Sequence, residues 1–202
     1  MSVLRNTFTT LRKEYQRVFQ READKHLPEI TDTLRNVAIF QVLSRGTLRA
    51  LADAVHTRTY KKDEYLYFEQ DPGLGLYIVQ SGRIRLLIED EDGSVQLLRQ
   101  VDAYDLFGYL SIFGDFRRTE TAQAVTETRV IGFFRPDLNT LIKRDPKAGA
   151  AILGVLANYL ATQLVEMDNL LEARDGKLAA GRLLHGAAQR AEGSESGSPL
   201  TG

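Results

Sequence analysis

Leu106-Phe107-Gly108-Tyr109-Leu110 and, further on, Arg118-Thr119-Glu120-Thr121-Ala122-Gln123-Ala124 form the stretch on which the reading of this chain turns. A glycine opens a tight turn, an apolar step follows, and an arginine then stands beside a hydroxyl residue. That layout can gather backbone N–H groups and a guanidinium around one anionic phosphate. The bland alternative leaves Arg118 on the surface beside Arg117, paired with Glu120.

Working outward, the segment from His56 to about Phe134 consists of short β-branched and aromatic runs broken by Lys-Lys-Asp, Asp-Pro-Gly, Ser-Gly and Glu-Asp-Gly turns. Turns recurring at intervals of about 8–12 residues predict an antiparallel sandwich or roll. The clearest strands are 65–68, 76–79, 84–88, 95–98 and 129–133, with Asp92-Gly93 as the best hairpin turn. Gly73-Leu74-Gly75 is a turn and not a dinucleotide fingerprint, because a strand follows it where a helix would be needed.

Helices flank this segment. Leu4, Phe8, Leu11, Tyr15 and Phe19 fall at helical spacing between charged residues. Pro28 ends or redirects that helix, and Ile30, Leu34, Val37 and Ile39-Phe40 predict a second, short one. Ser44 is the N-cap of a third, carrying Leu48, Leu51 and Val55. After the strands, Pro136 and Asp145-Pro146 frame a short helix over Asp137–Arg144, and a long helix runs from Lys147 to about Arg174. Along it Leu153, Leu156, Leu160, Met167 and Leu170 form an apolar stripe, widened by Leu164 and Leu171 and interrupted by Gln163. From Gly176 a short Ala/Leu/Arg segment leads into a Gly/Ser tail, too little for a winged-helix domain.

Composition narrows the function. Lys and Arg total 26 against 27 Asp and Glu, so no charge excess draws the chain to nucleic acid or an anionic membrane. There is no cysteine, and His26, His56 and His185 lie far apart, which opposes a metal site. No apolar run approaches the roughly 18 residues that span a bilayer, and the start lacks the apolar core of a signal peptide. A cytoplasmic protein without membrane or nucleic-acid partners is expected. With no Ser-His-Asp arrangement, Walker-type loop or carboxylate pair beside a histidine, an enzyme is not expected.

The quoted stretch resembles the phosphate-binding cassette of the cyclic nucleotide-binding domain family, and the chain is similar to that family's Crp/Fnr-like sensor domains without the DNA-binding domain. The cassette runs Phe-Gly-Glu-Leu, then an Arg followed by small and hydroxyl residues, with an Ala six places after the Arg. Phe107, Gly108, Leu110, Arg118 and Ala124 keep the pattern. Tyr109 stands where the family has the Glu that holds the ribose 2′-hydroxyl, and Glu120 stands where it has a small residue. The order Glu69-Gln70-Asp71-Pro72-Gly73, Leu76-Tyr77-Ile78-Val79 and Gly82 is also similar, with Gln70 at a usual Gly. The resemblance covers roughly Ile39 to Arg174.

It implies a mainly β fold, a cyclic nucleotide-binding-type jelly roll (double-stranded β-helix) with N-terminal helices and a long C-terminal helix. The domains would be 1–38 (helical extension), 39–175 (binding domain with the long helix) and 176–202 (flexible tail). The implied ligand is cAMP, cGMP or a related anion, with no metal. Phe107, Gly108, Tyr109, Leu110, Arg118 and Thr119 would form its site, and Thr162 and Gln163 match the helix position that contacts the purine in transcription-factor members. Gln163 is equally well read as a polar residue that sets helix register. The long helix would pair with a second copy as a homodimer and signal to an unknown protein partner; alternatively its stripe packs within one chain, against the N-terminal helix. A ligand-free module that keeps the roll for dimerisation or protein interaction is the other reading.

Overall fold

The computed structural model describes residues 27–184, so the helix expected over Leu4–Phe19 lies outside the described residues. The chain divides into two compact units, residues 1–153 and 154–202.

In the first unit the β segment folds into eight strands: β1 (His56–Tyr60), β2 (Tyr65–Tyr67), β3 (Gly75–Ser81), β4 (Ile84–Glu89), β5 (Val95–Val101), β6 (Leu106–Phe107), β7 (Thr121–Ala124) and β8 (Thr128–Phe134). They form two four-stranded sheets, ordered β1-β8-β3-β6 and β2-β7-β4-β5. This is the expected jelly roll. The five strands read from the sequence correspond to β2, β3, β4, β5 and β8, while β1, β6 and β7 are additional. Those three lack a run of large apolar residues: β6 has two residues and β7 reads Thr-Ala-Gln-Ala.

Inward-facing side chains of both sheets meet in one core. Tyr60, Tyr67, Tyr77, Val79, Ile84, Leu86, Val101, Phe107, Ala122, Ala124, Val130 and Phe134 form a single buried cluster. Its aromatic centre is tightly ordered, with Tyr77 and Phe107 stacked at 5.5 Å, Tyr67 and Tyr77 at 5.8 Å, and Phe134 edge-on to Tyr77 at 5.8 Å. Such pairs add about 0.5–1.5 kcal/mol each beyond their buried area. β5 lies at a sheet edge and exposes Val95 through Gln100. The hairpin between β4 and β5 turns at Gly93 (φ +79°), where the Ser94 N–H donates to Asp92 (2.8 Å). The Ser94 side chain first, and then this N–H, holds the Asp92 carboxyl below the usual carboxylate range by hydrogen bonding.

Three helices frame the roll. The first, α1 (Leu27–Asn36), buries Ile30, Thr33 and Leu34, and it carries Pro28 in its first turn, where a missing N–H costs nothing. Pro28 therefore lies within this helix, and the helix it was expected to end or redirect lies outside the described residues. α2 (Arg45–Ala52) is capped by Ser44, whose Oγ accepts from the Thr47 N–H at 3.1 Å. α3 (Arg135–Arg144) follows β8 directly, and Asp137 on it meets His56 of β1 at 3.1 Å.

The long helix α4 (Pro146–Asp175) begins in the first unit and continues in the second. Asp145 caps its start by accepting from the Ala148 N–H. Along the part beyond residue 153, Leu156 is buried, whereas Leu164, Val165, Met167 and Leu170 are exposed. Residues 177–184, the first described part of the expected tail, are helical, and Ala180 among them is buried. One expectation needs correction here. An 18-residue window of α4 has mean hydropathy 1.5, so this helix is long and apolar enough to cross a membrane, with 22% of the window buried. Asn158, Tyr159, Thr162 and Gln163 interrupt the apolar run without bringing a charge into it.

Candidate anion-binding site

Backbone geometry sets the cassette before any side chain does. At the end of β6, Gly108 adopts φ +64° and starts the 3-10 turn Tyr109–Ile112. A Cβ at Gly108 would collide with the Arg118 guanidinium, so both the left-handed φ and the close approach require glycine. On the other side, the turn 69–73 is laced to 116–118. The Arg118 N–H donates to the Asp71 carbonyl (2.9 Å), the Gln70 N–H to the Arg118 carbonyl (2.9 Å), and the Gly73 N–H to the Phe116 carbonyl (3.1 Å). Gln70 itself sits at φ +64°, a conformation that favours glycine.

The Arg118 side chain is directed inward. It is 2% exposed, so it is not the surface residue of the alternative reading. Its Nη1 donates to the carbonyls of Gly75 (2.9 Å) and Gly108 (2.7 Å), tying β3 to the cassette. Its guanidinium carbon lies 4.2 Å from the centre of the Tyr67 ring and 5.3 Å from that of Tyr77. Nε is buried and has no hydrogen-bond partner among the described residues. A buried cation anchored by two carbonyls and two ring faces is pre-organised, and it keeps a donor in hand.

Glu120 is also buried, at 8% exposure, and it pairs with neither Arg118 nor Arg117. Its Oε1 accepts from the Tyr67 hydroxyl at 2.6 Å, and its Oε2 accepts a short bond from the Thr119 hydroxyl. The Thr119 hydroxyl, expected to face a phosphate, is thus turned to an internal carboxylate. Arg117 is exposed and donates to the Gln70 carbonyl at 2.7 Å.

The expected site residues fall into three groups. Gly108, Tyr109, Leu110, Arg118 and Thr119 line one cleft together with Ser111, Arg117 and Glu120. Phe107 does not reach it, because it is 1% exposed in the aromatic core and supports the turn from beneath. Thr162 and Gln163 lie on α4 in the second unit, where Thr162 donates to the Asn158 carbonyl (3.0 Å) and Gln163 to Glu166 (3.2 Å). Tyr67 was not among the expected residues. Its signal was the alternation of β2, which buries Tyr67 and exposes Tyr65. Among the described residues, no three His, Cys, Asp or Glu side chains cluster as metal ligands.

The fold and the sequence of the roll are similar to known proteins. Residues 57–145 fit the family described as cyclic nucleotide-binding domain. The chain is 31% identical over 129 residues to a CRP-like cAMP-activated global transcriptional regulator of Mycobacterium tuberculosis, covering 64% of this chain and 58% of that protein. It is 31% identical over 113 residues to the cyclic AMP receptor protein of Thermus thermophilus, covering 56% of this chain and 52% of the other. The chain thus spans little more than half the length of these relatives. Among solved structures, the N-terminal domain of a transcriptional regulator from Streptomyces coelicolor A3(2) superposes with a TM-score of 0.61 at 29% identity, over 67% of this chain and 95% of that one. A cyclic nucleotide-binding domain from Methylobacillus flagellatus shares the fold, with a TM-score of 0.63 at 23% identity over 75% of this chain and 85% of the other. Through the roll that carries Gly108 and Arg118, residues 57–145 of this chain match the cyclic nucleotide-binding domain family.

Proposed function

We propose that this chain is a regulatory sensor domain that binds cAMP, cGMP or a related anion in the cleft of Gly108–Leu110 and Arg118–Thr119, and passes the bound state through α4 to a partner protein. Thr162 and Gln163 on α4 are proposed as the contacts to the base, and a homodimer formed along α4 as the signalling unit. The observation that carries the proposal is Arg118. It is buried, held by the Gly75 and Gly108 carbonyls, has an unpartnered Nε, and lines the cleft beside the Gly108 turn. The names of the two curated relatives, a cAMP-activated regulator and a cyclic AMP receptor, support a cyclic nucleotide as the ligand.

Glu120 favours a second reading, a roll without a ligand that acts as a dimerisation or interaction module. Its carboxylate takes up the Thr119 hydroxyl and adds negative charge to the cleft, which opposes a phosphate. Calorimetric titration with cAMP and cGMP separates the two. The sensor gives saturable binding that Arg118→Lys weakens by about tenfold or more, since lysine offers no planar fork. No heat with either nucleotide at millimolar concentration would leave the ligand-free module.

A further inference from the structure

Arg118 and Glu120 are both buried, bear opposite charges and line the same cleft, yet neither meets an opposite charge among the described residues. Arg118 rests on two carbonyls and two ring faces. Glu120 rests on two neutral hydroxyls. Charges taken from water are costly unless an opposite charge or a full set of hydrogen bonds replaces the solvent. Neither set is complete here. Nε of Arg118 has no partner, and a carboxylate with about four acceptor positions has only two of them filled.

One tyrosine holds both groups in register. The Tyr67 ring carries the guanidinium on its face at 4.2 Å, and its hydroxyl donates to Glu120 at 2.6 Å. The positive and the negative group are therefore set about a phenol ring apart, and both residues line the cleft. A ligand that completes both must bring an anionic oxygen and a hydrogen-bond donor within a few bonds of each other.

We infer that the cleft selects phosphates that carry their own donor, an ammonium or hydroxyl close to the phosphate, over plain phosphates. The phosphate oxygen meets Arg118 and the donor meets Glu120. This rests on the cleft being an anion site, and it makes Glu120 the residue that sets specificity: it attracts the donor and repels an anion that has none.

Ethyl phosphate and 2-aminoethyl phosphate test the inference directly, because they share the phosphate and a two-carbon chain and differ by one ammonium group. Both are titrated into the full chain at one fixed ionic strength and followed by NMR shift changes. The wild type should prefer 2-aminoethyl phosphate by about tenfold or more. In Glu120→Gln, which keeps an acceptor for Tyr67 and Thr119 but loses the charge, the preference should shrink to about twofold, mainly because ethyl phosphate gains. Tyr67→Phe keeps the ring under Arg118 and removes one of the two hydroxyls that hold Glu120 in place. It should give an intermediate preference, and it supplies the comparison if the Gln variant does not fold. Equal affinities in the wild type would overturn the inference and leave a simple anion site. A preference that persists in Glu120→Gln would overturn it too, since the donor would then be recognised elsewhere. Binding of neither probe to the wild type would remove the inference and the anion site together.

Discussion

Arg118 carries the candidate site and also part of the fold, and the second role was not visible in the sequence. Its spacing to Ala124, as in the similar cassette, marked only a phosphate ligand. The structure instead gives Arg118 two carbonyl partners on different elements and two aromatic faces. Truncation strands the Gly75 and Gly108 carbonyls and opens a gap against Tyr67. Arg118→Ala should therefore cost about 3 kcal/mol of stability in urea unfolding, besides any loss of binding. Arg118→Lys should cost less, because an ammonium still reaches one carbonyl. An Arg118→Ala protein as stable as wild type would mean that the two carbonyls find water instead. The same limit of sequence reading applies to Glu120. Near a phosphate it reads as a charge facing solvent or neutralising Arg117, and only its bond to Tyr67, 53 residues away, shows why it turns inward.

At the scale of elements, the turn chemistry was easier to read than the pairing it produces. Gly73, Gly82 and Gly93 with their neighbours predicted where strands stop, and runs such as Leu76–Val79 predicted where they lie. The short strands β6 and β7 exist because the sheets need them, and a two-residue strand leaves no periodic signal. The turn 69–73 shows what local reading adds once the backbone is known. Gln70 departs from the glycine usual in similar chains, and the structure holds it at φ +64° while its N–H donates to the Arg118 carbonyl. A side chain in that region costs about 1–2 kcal/mol, partly offset because glycine loses more freedom on folding. Gln70→Gly should accordingly stabilise the chain by about 1 kcal/mol, raising the melting temperature by roughly 2–4 °C. A lower melting temperature would show that the Gln70 side chain contributes more than its backbone strain costs.

For the whole molecule, the decisive feature is how much of α4 one chain leaves uncovered. The stripe read from the sequence separates into two parts. Leu156 is buried, whereas Leu164, Met167 and Leu170 are exposed, with Leu170 at 72%. An apolar face of this kind along a helix suits a second copy of the same helix, since a shared a/d seam buries both stripes at once. The place to test a homodimer is thus the exposed end of the stripe and not Leu160, which is half-buried within one chain. In a dimer, Leu170→Glu puts an unpaired carboxylate into an apolar seam at a cost of several kcal/mol per site. In the separated chain the same carboxylate faces water, and folding changes by about 0.5 kcal/mol or less. Light scattering at micromolar concentration should give twice the chain mass for wild type and the single mass for Leu170→Glu, with the same urea midpoint for the single folded chain. A wild type that scatters as a monomer would place the partner of the stripe elsewhere, and signalling from helix to helix across a dimer would have to be abandoned.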